Sequence, residues 1–238
     1  MFYFLIKAKN ILLDIFFPPF CLHCQKYLNV SGNKFLCGDC FGAIKLNSAP
    51  FCPVCRKRLA ENKICRHGRQ RFSYLLLAAG SYDDPVLKNL IHYYKYKNFK
   101  NLTPLLGKIL LNYLKLLNLK LLNFIIVPIP LYPNKERKRG FNQAKLLAEF
   151  VGQKLNIELA AALKKIKNIK PQAQIKNGEE RIKNIEGCFE ITNPELVKNK
   201  NIILMDDVFT SGATMNEAVK ILKEAGAKRI IALVLAKA

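Results

Sequence analysis

The sequence predicts an α/β protein, a mainly parallel sheet covered by helices, preceded by a small cysteine-rich module. Three observations carry this. Apolar runs of strand length end at polar residues, as parallel strands covered on both faces do. The run Ile202–Met205 passes through Asp206 and Asp207 into the small-residue turn Thr210-Ser211-Gly212-Ala213-Thr214, and then into a helical pattern. Seven of the 8 cysteines fall between positions 21 and 65. At 238 residues, 50% of them hydrophobic, the chain suits one α/β domain with a core of its own plus an appendage.

Residues 1–20 come first. Phe2–Ile6 and Ile11–Leu13 are apolar, but Lys7, Lys9, Asn10 and Asp14 interrupt them. A membrane-spanning helix needs about 20 mostly apolar residues in a row, so no transmembrane segment is expected. Pro18-Pro19 and Cys21 follow with no small-residue cleavage site, which fits a signal peptide poorly. The segment reads as an amphipathic helix packed on the body of the protein, with a membrane-surface helix as the alternative.

Residues 21–70 hold the cysteines. Cys21-x-x-Cys24 and Cys37-x-x-Cys40 are two closely spaced knuckles. Each presents two thiolates to one corner of a tetrahedron, so together they predict a structural zinc ion with no open position. So short a segment cannot fold on its own core, and metal supplies the missing stability. Disulfides are the rival use of these residues. With no export signal a reducing, cytoplasmic setting is expected, and zinc is favoured. The second set, Cys52-x-x-Cys55 and Cys65, lacks a fourth cysteine: Gly68 stands where it would fall, and His67 is the only nearby substitute. A second zinc on Cys52, Cys55, Cys65 and His67, and a knuckle remnant without metal, both stay open. His23 reads as a solvated turn residue. Cys188, far downstream, reads as a small buried hydrophobe.

Residues 72–238 form the α/β domain, with strands expected at 74–81, 124–128, 202–206 and 229–235. Asp83-Asp84-Pro85 starts a helix reaching about Lys97, with Leu87, Leu90, Ile91 and Tyr94 at helical spacing. Tyr93–Lys97 mixes aromatic and basic side chains, which suits either a helix with one packed face or a base-stacking surface. A leucine-rich helix runs from Pro104 to about Leu117. Val127-Pro128-Ile129-Pro130 closes the next strand with prolines at its carboxyl end, the edge where open α/β sheets bind ligands. Lys135, Arg137, Lys138 and Arg139 read as a basic loop before a further helix, and on a parallel sheet that loop faces the same edge as Asp206 and Asp207. Lys164–Lys176 is basic and reads as mobile. No internal repeat stands out.

In the 202–214 stretch each part has a physical job. The backbone N–H groups and hydroxyls of Thr210–Thr214 sit where a helix starts, and can cradle a phosphate with the helix dipole behind them. Gly212 lets the backbone come close. Two adjacent carboxylates suit the hydroxyls of a sugar, so a phosphorylated sugar fits both ends at once. Acidic residues at strand ends are common. The loop and the strand-to-helix context make the motif specific.

This stretch resembles the phosphoribosyl pyrophosphate loop of type I phosphoribosyltransferases. The resemblance implies that Asp206 and Asp207 hold the ribose 2′ and 3′ hydroxyls, and that Thr210, Ser211, Gly212, Ala213 and Thr214 bind the 5′-phosphate. It implies Mg²⁺ bridging the pyrophosphate; from the place of the basic loop, Arg139 is the first candidate to hold that pyrophosphate and Lys135, Arg137 and Lys138 are weaker ones. The order of motifs extends the likeness: the cysteine module, Val127-Pro128-Ile129-Pro130, Arg139-Gly140-Phe141-Asn142-Gln143, Gln172, Arg181-x-x-Asn184 and Met205-Asp206-Asp207-Val208. Over nearly its whole length the chain is similar to the ComF family. That likeness implies a zinc-ribbon N-terminus, a type I phosphoribosyltransferase-like body and a part in the uptake of transforming DNA. Gly68 is the departure from the pattern.

Charge bears on function too. The chain has 39 basic and 17 acidic side chains, a formal +22. That invites a polyanionic partner, although Lys, Asn, Ile and Leu are abundant throughout, as an AT-rich coding sequence would give. Two function classes compete, the first favoured, with a degenerate scaffold as a third, bland reading. One is a DNA-uptake accessory that binds single-stranded DNA, uses the phosphosugar site as sensor or grip, and works with the DNA-uptake machinery. The other is a working transferase that joins ribose 5-phosphate to an unknown acceptor. No general base or base-recognition pocket is legible. The zinc module and residues 135–139 and 164–176 are the candidate DNA surface, unless these lysines only solubilise the protein.

Overall fold

Alternation along four strands builds the sheet. In β1 (Leu75–Ser81), β2 (Phe124–Pro128), β5 (Asn201–Met205) and β7 (Arg229–Lys237), successive residues are buried on opposite faces. All four run parallel in the order β1-β7-β5-β2. The computed structural model describes residues 20–28, 34–59, 65, 74–169, 175 and 178–238. Three of the four strands start within a residue of the position read from sequence and β2 matches it throughout; β7 runs two residues further.

Leu77, Ala79, Ile203, Met205, Ile231 and Leu233 face one layer of helices. That layer comprises α2 (Pro85–Tyr96), α3 (Thr103–Leu116) and α5 (Gln143–Leu155). Asp84 starts α2: its side chain accepts the N–H groups of Val86 and Leu87, and Pro85 fills the first turn. Leu76, Ala78, Ile202, Leu204, Ile230 and Ala232 face the other way. There they pack with α7 (Ala213–Glu224) and with an antiparallel pair, β3 (Leu163–Lys165) and β4 (Phe189–Ile191), which follows α6 (Gly178–Ile185) at its second strand.

The central strand is nicked where the function is expected. β5 stops at Met205 and the short β6 (Val208–Phe209) resumes the pairing with β7. Asp206 N–H still donates to Leu233 O at 3.1 Å, and Leu235 N–H donates to Asp207 O at 3.0 Å. The backbone of the acid pair is therefore held by the sheet while both carboxylates are delivered to its carboxyl edge.

The cysteine module is docked on the sheet rather than hung from it. Cys21, Leu28, Leu36, Cys40 and Ile44 share the core of α2 and α3. The second knuckle opens the helix α1 (Gly38–Ala43): Cys37 caps it and Cys40 lies buried in its first turn. Further on, residues 47–51 run beside the outer edge of β1. Asn47 N–H donates to Ala79 O, and Phe51 and Leu76 exchange backbone hydrogen bonds in an antiparallel bridge. This covers an edge that would otherwise expose unpaired N–H and C=O groups.

Three expectations are corrected. Residues 133–139 are not a loop but the helix α4 (Pro133–Arg139), started by Pro133 and stopped by Gly140 at φ +77°. Lys164 and Lys165 are not mobile: they lie in β3, held by β4, while 170–174 and 176–177 lie outside the described residues. An internal repeat does exist. Phe20-Cys21-x-x-Cys24-x-Lys26 and Phe51-Cys52-x-x-Cys55-x-Lys57 form matching turns. In each, the first cysteine N–H donates to the lysine carbonyl, at 2.9 and 3.0 Å, and Gln25 or Arg56 takes a left-handed φ of 60° or 59°. The amphipathic helix expected over 1–20 lies outside the described residues, except for Phe20. Among the described residues no helix is long and apolar enough to cross a membrane.

Candidate functional site

Two sets of thiols converge in the module. The sulfurs of Cys21, Cys24, Cys37 and Cys40 lie within 4.8 Å of one another, and Cys24 Sγ is 3.7 Å from Cys37 Sγ. A tetrahedron with zinc–sulfur bonds of about 2.3 Å has sulfur–sulfur edges of about 3.8 Å. The spacing fits four thiolates around one ion and is far too long for a disulfide, and no cysteine among the described residues forms one. Cys37 Sγ also accepts the N–H of Cys40 at 3.4 Å. Burial works to raise the Cys21 thiol, but the N–H groups of Cys37, Cys24 and His23 outweigh it and bring it down to about 6. Cys52, Cys55 and Cys65 repeat the pattern with three sulfurs, Cys55 Sγ lying 3.7 Å from Cys65 Sγ. His67 lies outside the described residues. The donor sets fit structural zinc. His23 lies in the turn expected and is half-buried, but its Nδ1 is buried without a hydrogen-bond partner among the described residues. Cys188 is buried, as its apolar neighbours suggested.

At the carboxyl edge of the sheet a cleft of about 190 Å³ opens between β5, α2, α4, α5 and β3. Asp206, Asp207, Thr210 and Thr214 line one side of it, and Lys135 and Arg139 enter from α4. Beside it the Thr210–Thr214 turn encloses a smaller hollow of about 20 Å³ that also touches Asp206. Gly212 caps α7 at φ +83°, and a Cβ there would come within 2.7 Å of the Phe209 ring. Only glycine allows the turn to fold this tightly over Phe209. The structure thus brings Asp206, Asp207, Thr210–Thr214 and Arg139 to one place.

Two cations complete the cleft that were not singled out from sequence. Lys95, from α2, places Nζ 2.8 Å from Asp207 Oδ1, with both side chains largely buried. Lys165 reaches in from β3. No sequence signal marked either: Lys95 lies on a helix read by its apolar face, and Lys165 in a strand of three residues. By sequence Lys95 belongs to a segment suited either to a helix with one packed face or to base stacking. The structure turns it the other way, onto the acid pair.

Four cations therefore surround two carboxylates. Burial pushes Asp206 up to about 7, and the charge of Asp207 adds to this, while Lys95 pulls the other way. Burial works to lower Lys95, but the Asp207 charge wins and raises it. Lys135 is lowered by burial first and then by the charges of Arg139, Lys165 and Lys95. Lys165 is lowered by burial. Cations that disfavour one another in a partly dry cleft form a site that an anionic ligand would relieve.

The Arg139-Gly140-Phe141-Asn142-Gln143 motif has a structural job in this. Arg139 donates to Gln143 Oε1 at 3.0 Å. Buried Asn142 donates through Nδ2 to Ile129 O at 3.1 Å and caps α5 with its side-chain oxygen. These bonds tie α4, α5 and the Pro128–Pro130 turn into one wall. Arg137 and Lys138 do not line the cleft. They face a neighbouring open groove of about 660 Å³ with Asn134 and Asn168, and Arg137 bonds to Asn134. Gln172 and the side chain of Arg181 lie outside the described residues.

Comparison with known proteins agrees with this architecture. The phosphoribosyl transferase domain matches residues 142–238, and the double zinc ribbon domain matches residues 12–68. Competence protein F of Haemophilus influenzae is 30% identical over 236 residues, covering 94% of this chain and 99% of that protein. Competence protein ComFC of Bacillus subtilis is 30% identical over 200 residues, covering 80% of this chain and 79% of its own. The DNA utilization protein YhgH of Escherichia coli is 24% identical over 221 residues, covering 90% and 94%. Among solved structures, the allosteric regulatory enzyme of purine biosynthesis aligns at 16% identity with a TM-score of 0.39, over 57% of this chain and 25% of that one.

Proposed function

The chain belongs to the ComF family of competence proteins, and from that premise we propose that it assists DNA uptake by binding single-stranded DNA and holding phosphoribosyl pyrophosphate, or a related ribose phosphate, in the cleft. The relatives named for competence and DNA utilization support a role in DNA uptake. One observation carries the ligand: an acid pair, a glycine turn at a helix start and four cations meet in one cleft at the carboxyl edge of a parallel sheet. In this reading Asp206 and Asp207 take the ribose hydroxyls, Thr210–Thr214 cradle the 5′-phosphate, and Arg139, Lys135 and Lys165 face the pyrophosphate. Lys95 holds Asp207 in place until the sugar arrives.

Mg²⁺ belongs to the same proposal. It is a hard ion that takes oxygen ligands and keeps much of its water. Among the described residues the cleft offers it two carboxylates, one of them already paired with Lys95. The ligand's own pyrophosphate and hydroxyl oxygens would therefore supply most of its shell. The ion would neutralise pyrophosphate charge.

The test is calorimetric titration of phosphoribosyl pyrophosphate with Mg²⁺ into wild type and into Asp206→Ala/Asp207→Ala. Binding lost in a folded double variant is expected; unchanged affinity would sink the site. Transformation of a deletion strain complemented with either protein then asks whether the site serves DNA uptake, and full rescue by the variant would mean that it does not.

A second reading is a working transferase, favoured by the intact acid-and-turn motif and by Lys165 reaching into the cleft beside Asp206. Pyrophosphate release with a panel of nucleobases separates the two readings.

A further inference from the structure

We propose that a row of aromatic rings, three of them exposed, running from the second cysteine knuckle to the phosphosugar cleft, is a stacking track for single-stranded DNA; this rests on the reading that the protein binds single strands. Phe35, next to the second Cys-x-x-Cys pair, meets Phe99 with ring centroids 6.1 Å apart. Phe99 meets Tyr93 at 5.8 Å. Tyr93 meets His92 at 6.4 Å, and His92 meets Tyr96 at 5.1 Å. The Arg139 guanidinium then lies over the Tyr96 ring at 5.6 Å, and both of these residues line the cleft.

Core packing accounts for only part of this row: Phe35 and Tyr93 are half-buried against the core, while His92, Tyr96 and Phe99 are exposed. The buried face of α2 is made by Val86, Leu87, Leu90, Ile91 and Tyr94. His92 is exposed, Tyr96 is 57% exposed and Phe99 is 36% exposed. Asn98, at a left-handed φ of 55°, ends the helix and turns the chain, so that Phe99 comes back against Tyr93. Cations are interleaved with the rings along the sequence: Lys34-Phe35, Tyr96-Lys97 and Phe99-Lys100. All three lysines are exposed, and none has an ion-pair partner among the described residues. Next to the far end lies a groove of about 790 Å³ lined in part by Lys34, Phe35, Lys100 and Phe150.

Exposed rings at His92, Tyr96 and Phe99, with Lys97 and Lys100 next to the last two, match the chemistry of a single strand. Bases stack on any ring whatever the sequence, and phosphates meet the cations. A duplex keeps its base faces hidden. An acidic peptide would use the lysines and leave the rings idle. The track ends at Arg139, so a strand lying on it would reach the mouth of the phosphosugar cleft.

The experiment is fluorescence anisotropy with a labelled oligo-dT, over a range of salt, on wild type, His92→Ala/Phe99→Ala and Lys97→Ala/Lys100→Ala. Phosphoribosyl pyrophosphate affinity is measured on each in parallel. The ring variant removes two rungs that do not line the cleft. It should bind oligo-dT about tenfold or more weakly with an unchanged salt slope, because stacking releases no counterions. The lysine variant should lose about 0.7 of slope per phosphate contact. Both should keep phosphosugar affinity, which also reports the fold. A blunt duplex of equal length should compete poorly. Wild-type affinity in the ring variant, or a duplex that competes as well as the single strand, overturns the track and leaves the phosphosugar reading standing. A wild type that binds no oligo-dT at low salt overturns the single-strand reading together with the track. Should the double variant not fold, His92→Ala, an exposed single change, carries the same comparison.

Discussion

Lys95 Nζ lies 2.8 Å from Asp207 Oδ1, joining the end of α2 to the acid pair at the end of β5. The two side chains are 18% and 9% exposed, so neither charge is well hydrated. Removing one partner of such a pair leaves the other buried and uncompensated, at a cost of about 3 kcal/mol where the pair borders an open cleft. Lys95→Met should therefore destabilise the protein by roughly that amount in urea unfolding. Lys95→Met/Asp207→Asn should recover most of the loss. If the two single changes add in the double variant, the ion pair does not couple α2 to β5.

Asp206 gives a pH signature. Burial first, then the Asp207 charge, raise its carboxyl from 3.8 to about 7. In the unfolded chain it ionises near its ordinary value. Between the two values the folded state holds a proton that the unfolded state has released. Stability from this group is then fully present below about pH 4, falls as pH rises towards 7, and is level above. Asp206→Asn does not titrate. The stability of Asp206→Asn relative to wild type should rise with pH from 4.5 to 7 and stay constant from 7.5 to 8.5. A difference independent of pH would show that Asp206 ionises normally in the fold.

How much of this was legible in the sequence follows from the range of each interaction. β2 and β5 could be read because parallel strands covered on both faces are nearly pure apolar runs. The acid pair and turn could be read because one continuous segment supplies strand, carboxylates, glycine and helix start. Lys95 and Lys165 could not, because the cleft exists only once α2 and β3 are packed beside β5. The α4 error was of another kind. A run of Lys and Arg was read by charge, although Pro133 before it and Gly140 after it are start and stop signals for a helix. The repeated Phe-Cys-x-x-Cys-x-Lys turn is legible in the sequence itself once the residues flanking the cysteines are aligned.

The metal count follows from the two thiol sets. Elemental analysis should give about two zinc ions per chain, one for each cluster of sulfurs. Cys24→Ser should remove one and Cys55→Ser the other. Cys24→Ser should also lower the stability of the whole domain, because Cys21 and Cys40 share the core of α2 and α3. One ion in wild type, kept in Cys55→Ser, would mean that the second set is a metal-free remnant.

Gly212 and Gly38 make a matched comparison. Gly212 has φ +83°, and an added Cβ would meet Phe209 Cζ at 2.7 Å, so Gly212→Ala should cost about 1–3 kcal/mol and weaken phosphosugar binding. A Cβ on Gly38, in the first turn of α1, meets nothing within 4 Å. Gly38→Ala should be neutral or stabilise by up to about 1 kcal/mol through the unfolded chain. Equal effects in thermal unfolding would remove the argument that the turn demands glycine.

The basic cluster of α4 should divide in two. Lys135 and Arg139 stand one turn apart and line the cleft, and Arg139 is fixed there by Gln143. Arg137 and Lys138 face only the neighbouring groove with Asn168 and Ile169, which Lys135 borders as well. A reading in which all four act together predicts that reversing any of them harms both ligands. The geometry predicts otherwise. Arg139→Glu puts a carboxylate where a pyrophosphate is proposed to sit, in a cleft already holding Asp206 and Asp207. It should lower phosphoribosyl pyrophosphate affinity by at least about a hundredfold, given that a charge-assisted contact is lost and a repulsion gained. Arg137→Glu/Lys138→Glu should leave that affinity within about twofold, because screening weakens charges across the open groove. The same double variant should bind single strands more weakly and lose about 0.7 of salt slope for each phosphate contact removed. Calorimetry and anisotropy on the two variants give four numbers, and only this crossed pattern fits a helix with one face in each site. Loss of single-strand binding in Arg139→Glu alone would move the DNA contact into the cleft itself. Unchanged DNA binding in both variants would leave α4 to the phosphosugar and confine the strand to the ribbon and the aromatic ladder.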